Sequence, residues 1–185
     1  MEKEVMYQFL VKTAIPVIKW GKETGTDRIR DAIWRAHRDT LTGRFQFEKY
    51  RELTYGEKKH KVTDALYKKI KECIDSDEAL SSEPLIKYLD DNFKVEFGAI
   101  QKLVNMSLKY LIILNAFEFE KPIAIDEANC HCPLDSIILG KLVNPHTPWT
   151  KIKVEEYDIV QQEISQALLY DKKTMGNVVF DFENW

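Results

Sequence analysis

A lysine, an asparagine and a second lysine lie along one side of the most apolar segment of this chain. The segment covers residues 99–117, and Lys102, Asn105 and Lys109 recur within it at i, i+3 and i+7, the spacing of one helix face. A lysine amine can attack an electrophilic carbon, whereas an unpaired buried ammonium is costly. The stripe is therefore either the solvated side of an amphipathic helix or the wall of a polar pocket.

A carboxylate follows 33 residues after Lys102, at Asp135 in the string Pro133-Leu134-Asp135-Ser136. Aspartate is favoured at helix starts because its carboxylate accepts hydrogen bonds from backbone N–H groups, and this capping role alone accounts for its position. A carboxylate can also stabilise positive charge that develops during a reaction. The order of lysine-bearing helix, loop and capping aspartate makes Lys102 and Asp135 a candidate catalytic pair.

This order resembles the helix-hairpin-helix DNA glycosylase superfamily, which includes endonuclease III, and its spacing is most similar to the archaeal 8-oxoguanine glycosylase branch. In that family a glycine-containing hairpin precedes a helix with a catalytic lysine, and an aspartate opens a later helix. The resemblance covers residues 82–142, and its matching strings are Glu96-Phe97-Gly98-Ala99-Ile100-Gln101-Lys102, Leu103-Val104-Asn105 and His131-Cys132-Pro133-Leu134-Asp135. The usual Leu-Pro-Gly-Val-Gly hairpin is reduced to Gly98, and the loop before the aspartate is longer than in endonuclease III.

The resemblance implies an enzyme that cuts the N-glycosidic bond of a modified or damaged base in double-stranded DNA, in repair or in defence against phage. Lys102 would be the nucleophile, with a Schiff-base lyase step open to it, and Asp135 the essential carboxylate. Gly98 and Ala99 would contact DNA. Other residues would line the pocket or stack on the extruded base: Gln101, Asn105, Lys109, His131, Trp34, Trp149 and Tyr157. No cofactor is implied, because three cysteines cannot hold the four-cysteine iron-sulfur cluster of some members.

Cys130-His131-Cys132 is a competing candidate for a metal site or for a cysteine nucleophile with a histidine base. Two thiolates and an imidazole within three residues are too crowded for most tetrahedral zinc sites. The remaining histidines supply no clear second pair of ligands, so no metal is expected. No other residue of the sequence supports a cysteine nucleophile with a histidine base either.

Arg30 and His37 carry a second competing function. Arg-Asp-Ala-Ile-Trp-Arg-Ala-His, residues 30–37, resembles the Arg-x4-6-His motif of HEPN ribonucleases, which are all-helical proteins. The two residues lie two helical turns apart and so on one face, where they would polarise a phosphate and transfer protons. A helical interaction domain without catalysis is the third function class that the sequence leaves open.

The elements that must position these residues are helices joined by short turns. Helices are predicted over about 3–19, after the Thr26-Asp27 cap, and over 55–74, 99–117, 135–142 and 154–170, with another from Ser82-Glu83-Pro84 to about residue 92. Residues 44–55 are open to helix or extended structure. The apolar tail from residue 178 to 185 is expected to dock. Together these predict an all-α, helix-hairpin-helix glycosylase-like domain over 1–185, in which 82–142 form the catalytic helices and 1–81 with 143–185 flank them.

Composition and charge are consistent with one globular domain of 185 residues, 44% of them hydrophobic. Residues 1–74 carry 17 Lys and Arg against 11 Asp and Glu, whereas residues 75–185 carry 10 against 19. This split permits a basic face on a protein of net charge −3, although sequence halves need not become spatial faces. The start lacks a secretory pattern and no long uninterrupted apolar run is present, so we expect a cytoplasmic monomer that does not contact membranes.

Overall fold

The computed structural model describes residues 28–41, 55–116, 122–170 and 176–184, and within these ranges the chain is helical without a strand. The all-α prediction is confirmed. The helices are α1 (Arg28–Leu41), α2 (Tyr55–Asp75), α3 (Ser82–Asn92), α4 (Phe97–Asn115), α5 (Ser136–Leu139), α6 (Val154–Tyr170) and α7 (Val178–Asn184). Glu127–Asn129 and Trp149–Lys151 form 3-10 turns. The helix predicted over 3–19 lies outside the described residues. So do residues 44–54, for which the sequence leaves helix and extended structure open.

Helix α4 is the centre of the core, because every residue from Gly98 to Leu114 is buried. Its apolar side chains surround the helix, which is the pattern of an element covered on all sides. Among the described helices, α4 is the one with the length and mean hydropathy of a membrane span, but 94% of that window is buried inside the protein. The apolar character of α4 is thus accounted for by burial against the other helices.

Helix α1 packs more extensively against α4 than any other described helix does. Its buried apolar residues, Ile29, Ala32, Ile33 and Ala36, recur at the spacing of one helix face. At the end of this interface Tyr110 donates a 2.5 Å hydrogen bond to Asp39, which also pairs with Arg35 at 3.2 Å. Burial and the Asp39 carboxylate raise the pKa of the Tyr110 hydroxyl well above its usual value. The tyrosine therefore stays neutral and serves as a donor.

Helix boundaries follow local signals, with two differences from the prediction. The central helix, expected over 99–117, is α4 from Phe97 to Asn115. The helix that Asp135 opens was expected to reach residue 142, but α5 ends at Leu139 and Gly140 closes it. Turns follow at Lys141 and Leu142, ahead of Asn144-Pro145. Proline cannot continue a helix and glycine weakens one, so the helix stops after a single turn. The loop that follows returns to α4.

The C-terminal residues 178–184 form α7, a helix docked on the core, as expected for an apolar tail. Val178, Val179 and Phe182 are buried, and the Val178 amide donates to the carbonyl of Cys130 at 3.2 Å. Asp181 is 1% exposed at its side chain and pairs with Lys109 of α4. The tail therefore completes the interior around the second lysine of the stripe.

Gly98→Ala is expected to destabilise the protein by about 1–3 kcal/mol or more, because a Cβ at Gly98 would overlap the carbonyl oxygen of Trp149. Neither group can move without shifting backbone. The free energy of unfolding from urea denaturation measures the effect. Gly140→Ala is the matched control: its Cβ would meet the nearest backbone oxygen at 3.1 Å and its φ of −71° suits alanine. The control should cost less than about 1 kcal/mol, and equal losses would contradict the packing role of Gly98.

Candidate functional site

Lys102 and Asp135 meet at the start of α5. The Nζ atom of Lys102 lies 3.3 Å from Oδ2 of Asp135, and the two side chains are 9% and 12% exposed. The other carboxylate oxygen, Oδ1, accepts hydrogen bonds from the amides of Ile137 at 2.9 Å and Ile138 at 3.0 Å. The predicted capping role of Asp135 is confirmed. One oxygen caps the helix while the other faces the amine, so the cap positions the carboxylate for Lys102.

The polar stripe of α4 is not solvated. Lys102 is 7% exposed, and Asn105 and Lys109 are fully buried. The interpretation of the stripe as the wet side of an amphipathic helix is therefore wrong. Each member instead has a partner from a distant part of the chain, since buried polar groups need hydrogen bonds or opposite charge.

Trp149 supplies the aromatic face of the site. The Lys102 Nζ atom lies 4.6 Å from the centroid of the Trp149 ring, within the range of a cation–π contact. Gly98 makes this approach possible because its missing side chain leaves room for the backbone of Trp149. Lys102 thus lies between a carboxylate and an indole, with a small exposed fraction.

The segment before Asp135 is extended and buried, and side chains take the place of a neighbouring strand. Leu134 donates its amide to Oε1 of Gln101 at 3.2 Å and accepts from Nε2 of the same residue at 3.1 Å. Cys132 has the same two-way contact with Gln161 of α6, at 3.0 and 2.7 Å. The His131 amide donates to Oγ of Ser82 at 2.8 Å. These contacts fix where Asp135 begins its helix.

Gln101, predicted to bind substrate, therefore holds backbone in this structure. Gln161 was not singled out from the sequence, and Ser82 was predicted only as a helix cap, a position that Ser81 holds in the structure. A signal for Gln161 exists, because it lies within the buried stripe of α6 with Tyr157, Val160 and Ile164. A glutamine inside an apolar helix face indicates a buried polar partner, but the identity of that partner is not a local property.

Hydrogen bonds connect Asn105, Tyr157 and His131 beside the extended segment that precedes Asp135. Asn105 donates from Nδ2 to the Tyr157 hydroxyl at 2.9 Å, and that hydroxyl lies 2.8 Å from Nδ1 of His131. Because the tyrosine oxygen already accepts from Asn105, its single proton is available to Nδ1. Burial lowers the pKa of His131, against the opposing effect of Glu83 and Asp158. His131 is therefore a neutral acceptor near pH 7.

Lys109 lies in the interior. Its side chain is 0% exposed, it pairs with Asp181, and its Nζ atom lies 5.2 Å from the centroid of the Phe182 ring. Burial raises the pKa of Asp181, while Lys109 opposes that rise. The prediction that Lys109 lines a substrate pocket is not supported by this position. The lysine anchors α7, and Asp181 is the partner that sequence reasoning missed.

Gly98 and Ala99 were expected to contact DNA, but the structure gives them other contacts. Both are buried, and the amide of Ala99 donates to the carbonyl of Glu96 at 2.9 Å. Gly98 is covered by the turn that holds Trp149. Neither residue presents its backbone as a phosphate clamp in this arrangement.

The competing constellations do not form open sites in the described residues. Cys130 and Cys132 are buried thiols, and burial raises the pKa of Cys130 to about 12. No cluster of metal-ligating side chains is found in the described part of the chain. Arg30 is exposed and pairs with Asp64 at 3.4 Å, whereas His37 is 1% exposed in the core. The side chain of Trp34 lies outside the described residues.

An acidic groove of about 550 Å³, with Tyr157 in its lining, lies between α3 and the first turns of α4 and α6. Its carboxylates are Glu83, Asp90, Asp91 and Asp158. The lysine in its lining, Lys87, already pairs with Asp91 at 3.0 Å. A groove with this charge disfavours phosphate.

Comparison of the chain with protein-family models, with curated proteins and with solved structures gives no match. The support for a function therefore comes from the geometry of the chain's own residues.

Gln161→Leu is expected to cost about 2–4 kcal/mol of unfolding free energy, because the buried Cys132 amide loses its side-chain partner and the carbonyl keeps the 3.4 Å contact from Nδ2 of Asn105 in place of two donors. Urea denaturation followed by circular dichroism measures the loss. Gln162→Leu, at the exposed neighbouring position, is the matched control and should change stability by less than about 0.5 kcal/mol. Similar losses for both variants would contradict this role of Gln161 in holding the backbone of Cys132.

His131 is expected to make stability depend on pH. Its pKa is lowered in the folded state, so the unfolded chain binds a proton more readily. The contribution is complete above about pH 6.5 and is lost as the pH falls below that value. His131→Gln should flatten the decline in unfolding free energy below about pH 6.5, measured by urea denaturation at several pH values. Identical pH profiles for wild type and variant would refute this assignment.

Proposed function

We propose that this protein is a DNA glycosylase that releases a modified base from double-stranded DNA, with Lys102 as nucleophile and Asp135 as the essential carboxylate. The observation that carries the proposal is the 3.3 Å contact between the Lys102 amine and the Asp135 carboxylate, two groups 33 residues apart in the chain. The resemblance of residues 82–142 to the helix-hairpin-helix glycosylases requires this convergence. No cofactor or metal takes part.

The chemistry uses the three groups that meet at α5. Departure of the base leaves positive charge on the sugar, which the Asp135 carboxylate stabilises at short range. The Lys102 ammonium passes one proton to the departing base, which leaves with the electron pair of the glycosidic bond, and the resulting amine attacks the sugar carbon while Asp135 stays ionised. The new carbon–nitrogen bond is completed as a Schiff base when the sugar ring opens and a proton moves from Nζ to the ring oxygen. Trp149 offers an aromatic face for the extruded base beside the amine.

The ribonuclease alternative has less support from the geometry. A shared catalytic role for Arg30 and His37 needs both side chains at one open surface. Arg30 lies at the surface over the Tyr67 ring, 4.4 Å from its centroid, while His37 is enclosed in the core. The glycosylase proposal requires no comparable rearrangement of α1.

Borohydride trapping on duplexes with one altered base each is expected to yield a covalent complex with wild type and none with Lys102→Gln. The panel holds an oxidised purine, an alkylated purine and a glucosylated hydroxymethylpyrimidine. Glutamine can still donate to Asp135, so the variant removes the nucleophile and keeps the contact. Asp135→Asn should reduce base release by at least about 100-fold, because asparagine caps α5 equally well but carries no charge.

The surface pair Lys87 and Asp91 provides matched controls. Lys87→Gln and Asp91→Asn break a lysine–aspartate contact of 3.0 Å on α3 and should leave trapping and base release unchanged. If wild type leaves every base of the panel attached, or if trapping persists in Lys102→Gln, the glycosylase proposal fails. The Lys102–Asp135 pair would then be structural only.

A further inference from the structure

One stretch beside the Lys102–Asp135 pair carries positive charge alone. Residues 136–153 contain Lys141, Lys151, Lys153 and His146, and no Asp or Glu. The rest of the C-terminal part is acidic, because residues 75–185 as a whole carry 19 Asp and Glu against 10 Lys and Arg. All three lysines of the stretch are exposed. The stretch is therefore a basic patch on an otherwise acidic half of the chain.

Both ends of this stretch lie at the candidate catalytic pair. It begins directly after Asp135, which contacts Lys102, and near its other end Trp149 lies over the same lysine at 4.6 Å. Lys141 follows the single turn of α5, and Lys151 belongs to the 3-10 turn with Trp149. The two exposed lysines thus stand on the two segments that flank the Lys102 ammonium.

Two carboxylates of α6 hold the loop by accepting hydrogen bonds from it. Glu163 accepts from Asn144 and from His146, each at 3.1 Å, and Glu156 accepts from the Thr147 amide at 2.7 Å. Burial acts to raise the pKa of Glu163, but the hydrogen bonds from Asn144 and the contact with His146 outweigh it and lower the pKa. These contacts fix the course of the loop and pair the two carboxylates with polar groups of residues 144–147.

We propose that the loop over residues 140–153 is the surface on which the backbone of duplex DNA lies, with Lys141 and Lys151 contacting phosphates on either side of the Lys102–Asp135 pair. This surface takes the place of hairpin amides, since the Ala99 amide is used within the protein. The acidic groove at Glu83, Asp90 and Asp158, whose lining reaches Phe97 and Val154 but includes none of residues 140–153, repels phosphate. The role of this surface in catalysis rests on the proposed glycosylase function, whereas DNA binding is measured separately from it.

The test is equilibrium binding of the full chain to an unmodified duplex oligonucleotide at several salt concentrations. Each lysine–phosphate contact contributes about 0.9 to the slope of log affinity against log salt. The double variant Lys141→Glu/Lys151→Glu should lower the magnitude of that slope by about 2 and weaken binding at 100 mM salt by at least about tenfold. Both side chains are exposed, so the variant should keep the wild-type unfolding free energy.

The matched control is Lys68→Glu/Lys87→Glu, which makes the same change in net charge at exposed positions on α2 and in the acidic groove. Its slope should stay within about 0.5 of wild type. Equal losses in the two double variants, unchanged binding in Lys141→Glu/Lys151→Glu, or no duplex binding by wild type would each overturn the proposal. Absence of base release together with lysine-dependent binding would reject the glycosylase and leave the DNA surface in place.

Discussion

The structure depends on a buried extended segment, residues 130–135, whose backbone finds no neighbouring strand among the described residues. An unpaired buried amide or carbonyl costs about 1–3 kcal/mol, so these groups must find partners among side chains. Gln101 and Gln161 each bond both backbone groups of one residue, at Leu134 and Cys132. The segment is thereby held between α4 and α6, and Asp135 at its end has one position available. Everything at the candidate site follows from that position.

The two buried-side lysines of α4 each pair with an aspartate, but one pair lies in the interior and the other at the edge of the core. Lys109 and Asp181 are enclosed and attach α7 to the core, whereas Lys102 and Asp135 retain 9% and 12% side-chain exposure. A fully enclosed pair loses its hydration without access to a ligand, and breaking it leaves a buried charge. A pair at the edge of the core keeps the low-dielectric surroundings that strengthen charge interactions while remaining within reach of a ligand. This difference in burial separates the enclosed lysine that anchors α7 from the partly exposed lysine proposed as the nucleophile.

The charges around the Lys102–Asp135 pair differ in sign between the groove beside Tyr157 and the two segments that flank Lys102. Carboxylates of α3 and α6 line the groove beside Tyr157, and exposed lysines follow Asp135 and flank Trp149. A polyanion approaching such a surface is steered toward one side by the summed field. The overall charge of −3 does not reveal this arrangement, because the sign at the site depends on which few residues surround it.

The amino-acid sequence by itself determined the helices and the cap. Hydrophobic periodicity and the capping residue act within a few positions, so α2, α3 and α6, the buried character of α4 and the role of Asp135 were all readable from local pattern. The partners of the polar residues were decided by the tertiary structure. Asp181 for Lys109, Gln161 for Cys132 and Trp149 for Lys102 lie 72, 29 and 47 positions away, and no periodicity links such positions. Burial made those contacts necessary, because a polar group removed from water needs whichever partner the packing of the helices brings to it.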